Sequence, residues 1–159
     1  MRKLVAYFSA SGSTAKLANN LALAAQAALY EIKPAVPYER RDLNWMDKKA
    51  RSTVEMQDTS CRPALSDTAA PVTDADVIFL GFPIWWYREP SIIDSFLDAY
   101  DFTGKTIVPF FTSGGSQLGE GQARIGKLAR GAKVLPGKRF SARTGESELK
   151  DWISALKLA

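Results

Sequence analysis

Short apolar runs alternating with stretches of helical spacing constrain this 159-residue chain more than any other feature. Leu4-Val5-Ala6-Tyr7-Phe8 is unbroken and apolar, with aromatic and β-branched members, and reads as a buried strand. Small polar residues fill 9–14, where Gly12 permits positive φ. Leu17, Leu21, Ala24, Ala25 and Ala28 then recur along one helix face. Leu29-Tyr30-Glu31-Ile32 reads as a second strand, stopped by Pro34 and Pro37. Val77-Ile78-Phe79-Leu80 is a third, ended by Gly81. Pro90 opens a helix at its first position, with Ile92, Ile93, Phe96, Leu97 and Tyr100 on the apolar face. Residues 106–111 form a fourth strand, 121–130 a weaker helix and Lys133-Val134-Leu135 a short last strand. The closing helix, 146–158, turns Leu149, Trp152, Ile153 and Leu156 inward.

This alternation implies an α/β domain of three layers, a five-stranded parallel sheet between two layers of helices. The length fits one domain, 1–159. Right-handed crossovers gather the C-terminal strand ends on one edge, where such sheets bind ligands. Three loops leave that edge: 9–14, 83–87 and 112–116. The stretch 39–71 is irregular, mixed in charge and too long for an ordinary connection, so it is expected to pack on the domain with a purpose. A short helix is expected within 46–57, and Trp45, Met46, Val54, Met56 and Leu65 are the expected anchors.

Composition removes several chemistries. One cysteine, Cys61, forbids an intrachain disulfide, and with no histidine a Cys/His zinc site is not expected. The usual general base of acyl transfer is missing too, so no catalytic residue and no metal is assigned. Arg62 beside Cys61 is a reason for a lowered thiol pKa, against the plainer reading of an inert packed cysteine. Net charge is +4, and Arg124, Lys127, Arg130, Lys133, Lys138, Arg139 and Arg143 lie between Gly121 and Gly145 with no acid among them. They read as a solvated face or, more sharply, as a patch that steers acidic partners or nucleotide phosphates. No nucleic-acid motif accompanies them. No apolar run is long enough to span a membrane, and 4–8 is too short for a signal-peptide core, so a cytoplasmic location is expected.

The three loops differ in a useful way. Ser9, Ser11, Gly12, Ser13 and Thr14 put hydroxyls and free backbone N–H groups at a helix N-terminus, which suits an anion. The alternative is a simple cap by Ser13 or Ser11. Pro83, Ile84, Trp85, Trp86 and Tyr87 offer aromatic faces to a flat conjugated ring, or else cover core, with one tryptophan inward and the other at the site. Thr112, Ser113, Gly114, Gly115 and Ser116 let backbone come close to a ligand, or form a plain turn. Phosphate, ring and close polar contact in one crevice describe a flavin nucleotide better than a sugar phosphate.

The run from Leu4 to Ala18, with Ser9-Ala10-Ser11-Gly12-Ser13-Thr14 at its centre, resembles the flavodoxin phosphate loop. Gly81-Phe82-Pro83-Ile84-Trp85-Trp86-Tyr87 and Phe110-Phe111-Thr112-Ser113-Gly114-Gly115-Ser116 are similar to the two other loops of that family. Arg51-Ser52-Thr53-Val54-Glu55 and Arg62-Pro63 resemble a pattern in its short bacterial members. The resemblance implies strand order 2-1-3-4-5 and flavin mononucleotide (FMN) as cofactor. It also implies phosphate at Ser9, Ser11, Gly12, Ser13 and Thr14, with the ring between the loops 83–87 and 112–116. The middle segment is expected to shield the ring edge, with Arg51 and Glu55 in that role. Two features depart from the family: Tyr87-Arg88 stands where many relatives have a small residue, and the chain is basic where many electron carriers are acidic.

The function so implied is a low-potential electron carrier. The alternatives are an NAD(P)H-dependent FMN quinone reductase and a flavodoxin fold that has lost FMN. The expected partners are a redox protein or NAD(P)H, with no nucleic acid and no membrane, for a monomer or weak dimer. Related folds are disfavoured: a phosphoreceiver needs acids after the first strand, a low-molecular-weight phosphatase a cysteine there, and a P-loop nucleotidase Gly-Lys-Ser/Thr.

Overall fold

The five apolar runs become strands, and four of them form a continuous parallel core. The computed structural model describes residues 1–158. β1 (Lys3–Tyr7) lies between β2 (Ala28–Glu31) and β3 (Val77–Pro83), and β4 (Thr106–Thr112) follows β3. The order is β2-β1-β3-β4-β5 and the ladders are parallel, with Val5 opposite both Leu29 and Phe79, and Phe79 opposite Val108. The strand alternation sorts the core into two halves. Leu4, Ala6, Ile78, Leu80, Phe82 and Ile107 face α3 (Ser91–Ala99) and α4 (Gly121–Leu128). Val5, Tyr7, Val77, Phe79, Val108 and Phe110 face α1 (Ser13–Ala25) and α5 (Glu146–Leu156). Among the described residues no helix is long and apolar enough to cross a membrane.

Several boundaries differ from the sequence reading. β3 runs through Gly81 to Pro83, because Gly81 makes room for the Phe110 ring on β4; a Cβ there would lie 2.2 Å from it. α1 ends at Ala25, where Gln26 turns left-handed at φ 53°, and Ala28 belongs to β2. Pro90 sits just before α3 as its cap rather than in its first turn.

The fifth position of the sheet is filled by two short strands, β5 (Lys133–Val134) and β6 (Lys138–Arg139), both paired with β4. The break has a local cause. Ile107 O and Phe111 O accept from the N–H groups of Leu135 and Phe140, so Pro109, midway between them, faces the fifth strand as well. Proline has no N–H to donate. Opposite it, Pro136 and Gly137 interrupt the ladder, and the Gln122 side chain bonds both Leu135 O and Gly137 N.

The middle segment leaves β2 at Pro34 and returns beside it at Leu65. It holds a 3₁₀ turn, Arg40–Leu43, and α2 (Arg51–Gln57). Met56 is buried and Leu65 half-buried, as expected of anchors. Trp45, Met46 and Val54 are not anchors: they are exposed, at 71%, 72% and 55%. The hold comes instead from Tyr38, whose ring packs edge-on against Phe8 and Trp85 and whose hydroxyl donates to Glu55.

Candidate functional site

All three loops reach the C-terminal edge of the sheet. In the first, Gly12 caps α1 at φ 97° and no side chain bonds the helix N-terminus, so neither Ser11 nor Ser13 acts as a cap. Ser9 Oγ instead accepts from Gly12 N–H at 3.1 Å, which curls the loop back on itself. Ser11, Gly12 and Ser13 are exposed. Thr14 is buried at the base of the loop, 2.8 Å from the Thr112 hydroxyl, and this bond ties the first loop to the third. An uncapped helix start with an αL glycine leaves amide donors free for an anion.

The second loop is a two-residue turn. Trp85 and Arg88 exchange both backbone hydrogen bonds, at 3.1 and 3.2 Å, around Trp86 at φ 47° and Tyr87 at φ 65°. Positive φ at both central positions is the hairpin geometry that Asn-Gly normally supplies. Two bulky residues there cost on the order of 1–3 kcal/mol each, the kind of strain that persists only when the surroundings enforce it. The sequence alone leaves open which tryptophan packs inward. Trp85 is the half-buried one, wedged on Phe8 and Tyr38, and Trp86 is exposed.

In the third loop Gly115 adopts φ 149° and neither Gly114 nor Gly115 has an atom near its Cβ direction. Ser113 Oγ donates to Ser116 O at 2.6 Å, and Arg139 Nε donates to Ser113 O and Oγ at 3.3 and 3.2 Å. Ile84 N–H bonds Thr112 O, so the second and third loops leave one ladder side by side.

A groove of about 660 Å³ opens between them, lined by Ile84, Trp85, Trp86, Tyr87, Gly114 and Ser116, with Leu43, Trp45 and Ser52 from the middle segment. Ser52 Oγ is buried and has no hydrogen-bond partner. Pro83 is half-buried at the end of β3 and, like the first loop, does not line this groove. Ser9 and Ala10 line a second cavity of about 370 Å³ with Phe8, Pro34 and Tyr38. Ser116 belongs to the third loop, as the sequence implies, while Leu43, Trp45 and Ser52 lie outside the expected ring site. Their signal was the length of the middle segment, which placed it near the crevice without saying which residues face it. Arg51 and Glu55 pair with each other at 3.0 Å and Arg51 lies over the Tyr38 ring at 3.9 Å, so they brace the wall and do not line the groove. Cys61 departs from the reading in which Arg62 activates it: burial, then Glu55 and Asp58, push its thiol upward.

Arg88, next to Tyr87, does not line the groove. It points inward, 2% exposed, into a cluster with the fully buried Glu89 and Asp94 at 3.7 and 3.6 Å. Arg124 reaches the same carboxylates at 3.1 and 2.5 Å, which removes it from the basic surface expected around 121–145.

The donor set fits a flavin nucleotide: unbonded helix-start amides for a phosphate, an aromatic and glycine-lined slot for a ring, and the unsatisfied Ser52 hydroxyl at the slot wall. A family model described as Flavodoxin matches residues 2–156. The chain belongs to the flavodoxin family. A candidate flavoprotein from Bacteroides eggerthii is similar at 40% identity and TM-score 0.93 over 99% of each chain. Another from Bacteroides uniformis gives 40% and 0.90, over 96% of this chain and 97% of that one. A Lactobacillus acidophilus flavoprotein in complex with FMN shares the fold at 23% identity and TM-score 0.72, over 96% of this chain and 98% of that one. No curated protein sequence matches significantly. The structure gives the neighbouring Tyr87 and Arg88 opposite fates: Tyr87 outward, Arg88 buried.

Proposed function

We propose that this flavodoxin binds FMN without a covalent link and works as a one-electron carrier. The observation that carries the reading is the meeting of an uncapped α1 N-terminus, tied through Thr14 and Thr112 to the third loop, with an aromatic groove at the same sheet edge. The first loop holds the phosphate by hydrogen bonds alone, since it contains no lysine or arginine. Trp85 and Trp86 flank the ring, the Gly114–Gly115 backbone approaches its polar edge, and Ser52 supplies a hydroxyl otherwise unbonded. The bound flavin supplies the electron-accepting chemistry, for which no residue of this chain substitutes. Trp45, exposed at the rim, shields the ring from the middle-segment side. The partner is a redox protein and the setting the cytoplasm.

An absorption spectrum before and after FMN addition tests the cofactor. Flavin bands with quenched tryptophan fluorescence are expected, and their absence would leave a fold without its flavin. Steady-state NAD(P)H oxidation by the loaded protein then separates carrier from reductase. Negligible turnover is expected, and rapid turnover with a quinone would replace the carrier reading.

A further inference from the structure

The Trp86-Tyr87 turn is held against the preference of its own residues, so something outside it must hold it. On the Trp85 side, Phe8 and Tyr38 pack edge-on at 5.6 and 5.4 Å. On the other side is the Arg88 guanidinium, which donates to Glu89 O at 3.1 Å, Met56 O at 3.1 Å and Ser91 Oγ at 3.3 Å. The Glu89 and Asp94 carboxylates complete its surroundings. These acceptors come from α2, α3 and the segment joining the turn to α3, so the side chain is fixed by separate elements. The backbone of Arg88 carries both hydrogen bonds that close the turn. Gly119 presses from the far side, where a Cβ would stand 2.8 Å from Tyr87 O.

We propose that Arg88 is a positioning residue for the ring-binding turn: its buried guanidinium pins the backbone that keeps Trp86 and Tyr87 left-handed, and so sets where the aromatic faces stand. The identity of the ligand rests on the FMN reading; the hold on the turn does not. Lysine keeps the charge but loses the planar fork that serves several acceptors at once. Asparagine tolerates positive φ better than tyrosine, so at position 87 it relieves the strain that Arg88 opposes.

The test is Arg88→Lys, made alone and on a Tyr87→Asn background, with FMN titrated into apoprotein by tryptophan fluorescence and amide exchange read on the apoprotein. Arg88→Lys is expected to weaken FMN at least about tenfold alone and less than about threefold on the Tyr87→Asn background. In the apoprotein the Trp85 and Arg88 amides lose protection while Phe79 in the central strand keeps it. Equal losses of affinity in both backgrounds, or unchanged exchange at Trp85 and Arg88, overturn the proposal. If the native protein binds no FMN, the functional reading fails by itself and the exchange experiment still decides on Arg88. If Arg88→Lys does not fold, Ser91→Ala removes one acceptor at small cost. Faster exchange at the same two amides is then expected, and unchanged exchange overturns the proposal.

Discussion

Glu89 is a carboxyl group whose charge is supported on one oxygen only, Oε2, by Arg88 and Arg124. It is fully buried, its Oε1 has no hydrogen-bond partner, and Asp94 lies beside it. Burial first, then the hydrogen bond and charge of Asp94, push its pKa up to about 8, against the pull of Arg124. A carboxyl raised on folding stabilises the native state fully below its unfolded pKa and loses that contribution as pH rises through the folded value. Stability should therefore fall between about pH 4.5 and pH 8, by at most ~1.4 kcal/mol per pH unit from this one proton. Urea unfolding at several pH values is expected to show the fall in the native chain and a flatter profile in Glu89→Gln; identical slopes would place the proton elsewhere. Gly12 gives a second prediction at this scale. An alanine at φ 97° is strained by roughly 1–2 kcal/mol, so Gly12→Ala should weaken FMN about tenfold. Unchanged affinity in a fluorescence titration would mean that this turn does not cradle the phosphate.

At the level of elements, the β3–β4 pair depends on a missing side chain. Gly81 leaves space that the Phe110 ring fills. Gly81→Ala is expected to cost about 1–3 kcal/mol by overpacking, read as a lower urea midpoint with unchanged far-UV circular dichroism; an unshifted midpoint would show that the ring moves aside freely. The same glycine shows what the sequence conceals. Apolar runs and helical spacing announce the strands and helices, because burial on a period of two or 3.6 is local information. Gly81 reads as a stop since its purpose is a contact 29 positions later (Gly81 to Phe110), which nothing nearby records. The broken fifth strand is hidden for a related reason: Pro109 and Pro136 are visible, but their opposition needs the register. In the site, the three loops are legible from hydroxyl, aromatic and glycine composition. Ser52 and the exposure of Trp45 are not, because the irregular middle segment has no period to say which side faces in. Arg88 reads as an intruder at the crevice, and only the fold reveals the buried carboxylates that draw it inward.

Taken whole, the molecule divides its basic residues. Arg124 is spent inside, Lys127, Arg130 and Lys133 lie near the start of β5, and Lys138 and Arg139 flank the third loop side of β4. Cations near the crevice and a net charge of +4 disfavour negative charge less than an acidic shell does. The reduced couple of bound FMN should accordingly be less negative than in acidic flavodoxins, and a spectroelectrochemical titration giving an equally low potential would remove that argument. The split strand carries one more consequence. A sheet that ends in an intact strand offers a template on which another chain can add itself. Here the outer rung is two fragments of two residues each, separated by Pro136 and Gly137 and studded with Lys133, Lys138 and Arg139. The break that Pro109 imposes thus leaves that border of the protein without a continuous seam, guarding it against strand-by-strand aggregation.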